Sequence, residues 1–366
     1  MKKALGIVVL ALVAMHFMPA TEAAPQRQQQ DAKAKDTGLP WAYGFAASAQ
    51  PEGAGAARAG GGAAAAPAAP APAAAAPAAP AEDEEVIRHL PGTTAAFNLK
   101  EVDNNYGPAD WYPGDHPPMP DVVAHGRKPV VTACGFCHYP NGKGRPNNAG
   151  PAGLPAAYIL QQLDDFKSGA RSSWDKRKRN TGQMIGIATG LTPEEAKIAA
   201  DYLSSMKWTP YVKVVETTEV PKTRYVGGGG GLCLPLEGAE AGKEPLGNRI
   251  IETPESVFDT EPMRNPRSGF IAYVPVGSLK KGEDLVVRGG PAKTVACAAC
   301  HGEGLKGDRD VPSLAGRSPS YLARQLLDFQ HFTRVGPGSE LMRPIVKNLS
   351  EEDILDIVAY VASLKP

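Results

Sequence analysis

The sequence predicts a mainly α protein in which one small helical unit is used twice, behind a low-complexity extension. Three observations carry this. The pentapeptide Cys134-Gly135-Phe136-Cys137-His138 returns as Cys297-Ala298-Ala299-Cys300-His301. The flanking sequence repeats at a fixed offset of 163, which takes Tyr158 to Tyr321, Gln162 to Gln325, Asp165 to Asp328 and Phe166 to Phe329. After five residues drop out, an offset of 158 takes Met184 to Met342, Thr192 to Ser350 and Tyr202 to Tyr360. Apolar residues follow each motif at helical spacing. Self-similarity of this kind marks a duplicated fold.

Cys-x-x-Cys-His is the attachment signature of c-type haem. Each thiol adds across one vinyl group, and a helical turn places both sulfurs along one porphyrin edge. The adjacent histidine then lies under the iron. A redox dithiol does not need that histidine, and a zinc site needs further ligands nearby. With five cysteines in 366 residues, two chance matches are not credible. The expected cofactors are therefore two covalently bound haems c, held by Cys134, Cys137, Cys297 and Cys300, with His138 and His301 as axial ligands.

Taken in order, residues 1–23 read as a cleaved signal peptide. Lys2 and Lys3 precede an apolar run from Ala4 to Met15, and Thr21-Glu22-Ala23 ends in a small residue. The apolar run is shorter than the ~20 residues a spanning helix needs, so no membrane span is expected in the mature chain. Export to the periplasm follows. Residues 24–90 read as a tether. From Pro51 to Ala81 it is almost only Ala, Pro and Gly, which predicts disorder. Trp41, Tyr43 and Phe45 form an aromatic island expected to dock on the body of the protein.

Residues 91–210 are assigned to the first haem domain and 279–366 to the second. In the first, Tyr158, Ile159, Leu163 and Phe166 mark a helix. Leu191-Thr192-Pro193-Glu194-Glu195 marks the start of a closing helix, with Thr192 as N-cap and Pro193 at the first helical position. Between the domains, residues 211–278 read as an extended strap with two short β-like stretches and too few apolar residues for a core. Cys233 lies there, outside both motifs, and reads first as a surface thiol. Net charge is zero, which leaves no footprint for nucleic acid. The basic run Lys176-Arg177-Lys178-Arg179 is the one local candidate for steering an anionic partner.

A sixth ligand must come from the far side of each haem. Methionine is the usual partner of histidine in cytochromes c. Met184 and Met342 stand 46 and 41 residues after their histidines, at equivalent places expected to be loops before the closing helices. Met206 lies on a helix face and reads as core. Met119 and Met263 rank low.

Tyr321-Leu322-x-x-Gln325-Leu326-x-x-Phe329, Pro312-Ser313-Leu314-Ala315-Gly316 and Leu349-Ser350-Glu351-Glu352-Asp353 together resemble the tandem dihaem class I cytochromes of the cytochrome c4 type. The resemblance covers residues 120–210 and 280–366. It implies two class I cytochrome c domains, two closed low-spin haems and a role as an electron carrier rather than an enzyme. It also implies that the Pro312 carbonyl accepts a hydrogen bond from His301. The first copy departs, with Gly150-Pro151-Ala152-Gly153-Leu154 in that run and Ala149 aligned with Pro312, so the acceptor for His138 stays open. Expected partners are redox proteins: a dehydrogenase, a cytochrome bc-type complex or a terminal oxidase. The carrier can also be the cytochrome subunit of such a complex. The competing reading is a dihaem enzyme, thiosulfate dehydrogenase-like or peroxidase-like, with one haem open or ligated by Cys233.

Overall fold

The computed structural model describes residues 38–45, 81–227, 231–291 and 293–366. The expected signal peptide and most of the Ala/Pro/Gly tether lie outside the described residues.

The first unit contains α1 (Asp121–Ala124), α2 (Cys134–His138), α3 (Ala156–Ser168), α4 (Arg179–Gly190) and α5 (Pro193–Ser204). Helix α5 starts as its sequence dictates. The Thr192 hydroxyl accepts from the Glu195 amide, and the Glu195 carboxylate accepts from the Thr192 amide. This capping box satisfies two amides that have no partner inside the helix. Val122, Val123, Ile159, Leu191, Tyr202 and Leu203 bury the faces of α1, α3 and α5 against one another. Met206 joins them, in the core position its spacing predicts.

The strap is more folded than expected. Its strands are β1 (Val212–Glu216), β2 (Glu219–Pro221), β3 (Thr223–Val226), β4 (Leu232–Pro235), β5 (Lys243–Pro245), β6 (Ile251–Pro254) and β7 (Phe270–Val274). The two β-like stretches of the sequence pair with each other. Strand β1 runs parallel to β7, Val212 opposite Phe270, and β6 joins the other edge of β7 antiparallel. Two small apolar clusters result. Tyr211, Val226, Leu232, Leu234 and Phe270 form one; Val220, Cys233, Leu246 and Ile251 form the other. The low apolar content misled because strand pairing, rather than a wide core, satisfies the backbone here. Cys233 is buried, not a surface thiol.

The second unit contains α6 (Ser278–Arg288), α7 (Ala298–His301), α8 (Pro319–Gln330), α9 (Ser339–Val346) and α10 (Glu351–Ser363). Ser350 and Asp353 repeat the capping box at the start of α10. Helix α6 crosses α10 so closely that a Cβ added at Gly282 would lie 2.0 Å from the Asp356 carbonyl oxygen. The aromatic island docks on this unit. Leu39, Trp41, Ala42 and Tyr43 enter its core, and Phe45 packs at the edge. Arg324 donates to the Ala42 carbonyl.

Candidate haem sites and the seam between them

Both motifs form a short helix, and both histidines are fixed in the same way. His138 Nδ1 donates to the Ala149 carbonyl at 2.8 Å. His301 Nδ1 donates to the Pro312 carbonyl, also at 2.8 Å. A backbone carbonyl serves at both places, so the loss of proline at 149 costs no acceptor. With Nδ1 donating, Nε2 carries the lone pair that a metal accepts. Burial holds both imidazoles below the usual histidine range, against the opposing pull of those carbonyls.

The thiols are unlike those of a redox pair. Burial pushes Cys134 up to about 12 and Cys297 up to about 11. Cys137 is also raised by burial, while Arg264 and Arg145 pull the other way. Redox-active Cys-x-x-Cys thiols are lowered instead. Among the described residues, no three His, Cys, Asp or Glu side chains converge as zinc would require. Apolar side chains also stay uncovered close to the motifs: Val130 before the first, Val295 before the second, and Leu341 next to Met342. A large apolar group bonded through both sulfurs suits this donor set and these bare faces.

The methionines do not lie in loops. Met184 is inside α4 and Met342 inside α9, both half-buried and at equivalent positions before α5 and α10. Apolar side chains recur three or four positions on from each methionine, Ile187 and Ala188 after Met184, Ile345 and Val346 after Met342, a helical spacing that the motif-to-methionine distance alone does not reveal. Met342 packs against the buried core of the second unit. Met119 is half-buried against the first core, and Met263 is fully buried.

In the basic run Lys176, Arg177 and Arg179 are exposed. The Arg177 guanidinium lies 4.4 Å from the centre of the Phe45 ring and bonds to Asp175. Lys178 is buried. The charge that could face a partner is therefore that of Lys176, Arg177 and Arg179, and not of all four residues.

A set of polar residues at the seam between the units was not legible as functional. Arg171 donates to Gln162 of its own unit and to Gln325 of the other, at 3.0 and 2.9 Å. Arg334 mirrors it, donating to Gln325 and Gln162 at 3.1 and 2.7 Å. Each guanidinium also covers the phenylalanine of its own unit, Phe166 or Phe329. The offset of 163 relates Arg171 to Arg334 and was the available signal. The repeat thus meets itself about an approximate twofold axis, with each glutamine oxygen accepting from both arginines.

Fold and site define a c-type cytochrome with two haem units. The Cytochrome c family model matches twice, over residues 123–207 and 284–365. Cytochrome c-554(548) of Halomonas halodenitrificans is 39% identical over 75 residues, 20% of this chain and 90% of that protein. Cytochrome c4 of Azotobacter vinelandii is 24% identical over 67% of this chain and 89% of its own length. The thiosulfate dehydrogenase electron acceptor of Stutzerimonas stutzeri is 25% identical over 65% of this chain and 82% of its own length. The chain belongs to the cytochrome c family, as a tandem dihaem member resembling cytochrome c4, with two covalently bound haems c. It is a cytochrome c4-like electron carrier.

Proposed function

We propose that this protein is an exported, periplasmic carrier that moves single electrons between redox proteins and has no turnover of its own. Cys134 and Cys137 would hold one haem through thioether bonds, and Cys297 and Cys300 the other. His138 and Met184 would hold the first haem iron, and His301 and Met342 the second. The observation that carries this is the matched imidazole geometry, with Nδ1 engaged 2.8 Å from a backbone carbonyl in both units. The haem supplies a reversible one-electron couple, and methionine ligation favours its ferrous form. The polypeptide orients the histidines, packs the macrocycle and holds the two units in register.

Cys233 supports the carrier over the enzyme. It packs with Val220, Leu246 and Ile251 in the strap, and burial pushes its thiol up to about 11. A haem-ligating cysteine must be a thiolate at an iron. The named role of the Stutzerimonas relative makes a dehydrogenase the favoured donor.

The test is the absorption spectrum, oxidised and reduced, with and without carbon monoxide. Expected are the weak long-wavelength band of methionine-ligated ferric haem, halved in Met184→Ala and again in Met342→Ala, and no carbon monoxide shift in the wild type. A shift on one haem of the wild type would mean an open iron and would return the enzyme reading.

A further inference from the structure

The strap does more than join the units, because part of it grips the first motif. Arg145 pairs with Glu261 at 3.3 Å. Trp111 Nε1 donates to the Met263 carbonyl at 2.7 Å, and Asn141 donates to the Pro266 carbonyl at 3.2 Å. Arg267 holds Asp115 through two bonds of 2.7 Å. Between these anchors, Arg264 adopts a left-handed backbone (φ 48°) and donates to the carbonyl of Phe136, inside the Cys-x-x-Cys turn. Its guanidinium lies 4.0 Å from the centre of the Phe136 ring. Arg264 makes no ion pair among the described residues, since Glu261 is engaged by Arg145.

The second motif has nothing like this. The offset of 163 puts Ala299 where Phe136 stands and Asp308 where Arg145 stands. Among the described residues, no basic side chain bonds to or stacks on α7, and Cys300 is exposed.

We propose that Arg264 is a fixed positive charge that raises the reduction potential of the first haem and leaves the second unchanged. This rests on haem being held at Cys134 and Cys137. Taking one electron from a donor lowers the charge of the haem iron by one. A guanidinium always carries its charge. Held at the motif and partly shielded from water, it favours the reduced form more than a solvated cation does. Local charge and burial are levers by which a polypeptide sets haem potential.

The experiment is a mediated redox titration of the full dihaem protein, with Arg264→Gln and Arg264→Lys. Arg264→Gln should lower one midpoint potential by about tenfold in the reduction equilibrium, about 59 mV for one electron. The other midpoint should stay, and Arg264→Lys should keep most of the wild-type value. No movement in Arg264→Gln overturns the proposal. So does an equal fall in Arg264→Lys, which would assign the effect to packing, or a joint fall of both midpoints. Glu261→Gln frees the charge of Arg145 without touching Arg264 and should raise the same midpoint. It decides the matter if the Arg264 variants do not take up haem, and a fall or no change there overturns the proposal. A wild-type haem count of one per chain would instead mean that the dihaem reading had failed.

Discussion

The two closing helices share a capping box and a repeat position, yet they are buried very differently. Helix α10 hides nine of its 13 residues, from Asp353 to Ala362, whereas α5 hides four of its 12. The difference lies in what precedes each motif. The second unit has the 11-residue α6 laid across α10. The first has only the single turn of α1. The first unit gains its cover instead from its own leading segment together with the strap. Leu90, Val102, Trp111 and Tyr112 cluster with Met263 of the strap. A duplicated fold has thus been completed once by a neighbouring helix and once by irregular leading chain clamped by the strap.

The largest expected effect comes from removing the borrowed cover. Met263→Ala empties the middle of a fully buried cluster and should cost about 3 kcal/mol. Hydrogen exchange should rise in residues 88–112 and α2 and stay unchanged in α10. Equal loosening of α10 would break the comparison, because the second unit would then depend on the strap as well.

Next is the contact that only the second unit has. Gly282→Ala forces a methyl group against the Asp356 carbonyl, and spreading α6 from α10 should cost about 2 kcal/mol. Exchange should speed up along α10 and not along α5.

Thr192→Ala and Ser350→Ala remove the shared feature. Each should cost about 1 kcal/mol in chemical denaturation. A much smaller loss for Ser350 would sharpen the comparison, since packing by α6 would then hold α10 without its cap.

The smallest effect is a pH dependence at the start of α5 in the first unit. Hydrogen bonds from Arg127, and then from the Thr192 amide, hold the Glu195 carboxyl down to about 2. In the unfolded chain it titrates near 4. Folding therefore favours the ionised form. The contribution is complete above about pH 4 and is lost as pH falls through about 2. The pair is largely solvated, so the gain is a few tenths of a kcal/mol. Acid denaturation of Glu195→Gln should lack this component, and an unchanged profile would remove the ion pair from the account.

The motifs, the repeat and the caps were legible because each depends on residues close in sequence. Ala149 shows the limit of residue identity: its carbonyl does for His138 what Pro312 does for His301, since a hydrogen bond to the backbone needs position, not side chain. Helix α6 was not foreshadowed by the repeat, because its counterpart is a single turn. Gln162 and Asp165 stood out in the sequence only as repeat matches, and their burial on α3 had no local signal.

By itself, the sequence determined two covalent haem units, the four attachment cysteines expected to hold them and two equivalent methionines. These follow from covalent chemistry and short-range helical spacing. Tertiary structure alone decided that Arg171 and Arg334 close the seam, that Cys233 is packed away, and that Arg264 reaches the first motif from 128 residues further along the chain. Such contacts depend on how distant segments pack together. No local pattern records them, because the energy that selects them is shared among all the surfaces that meet.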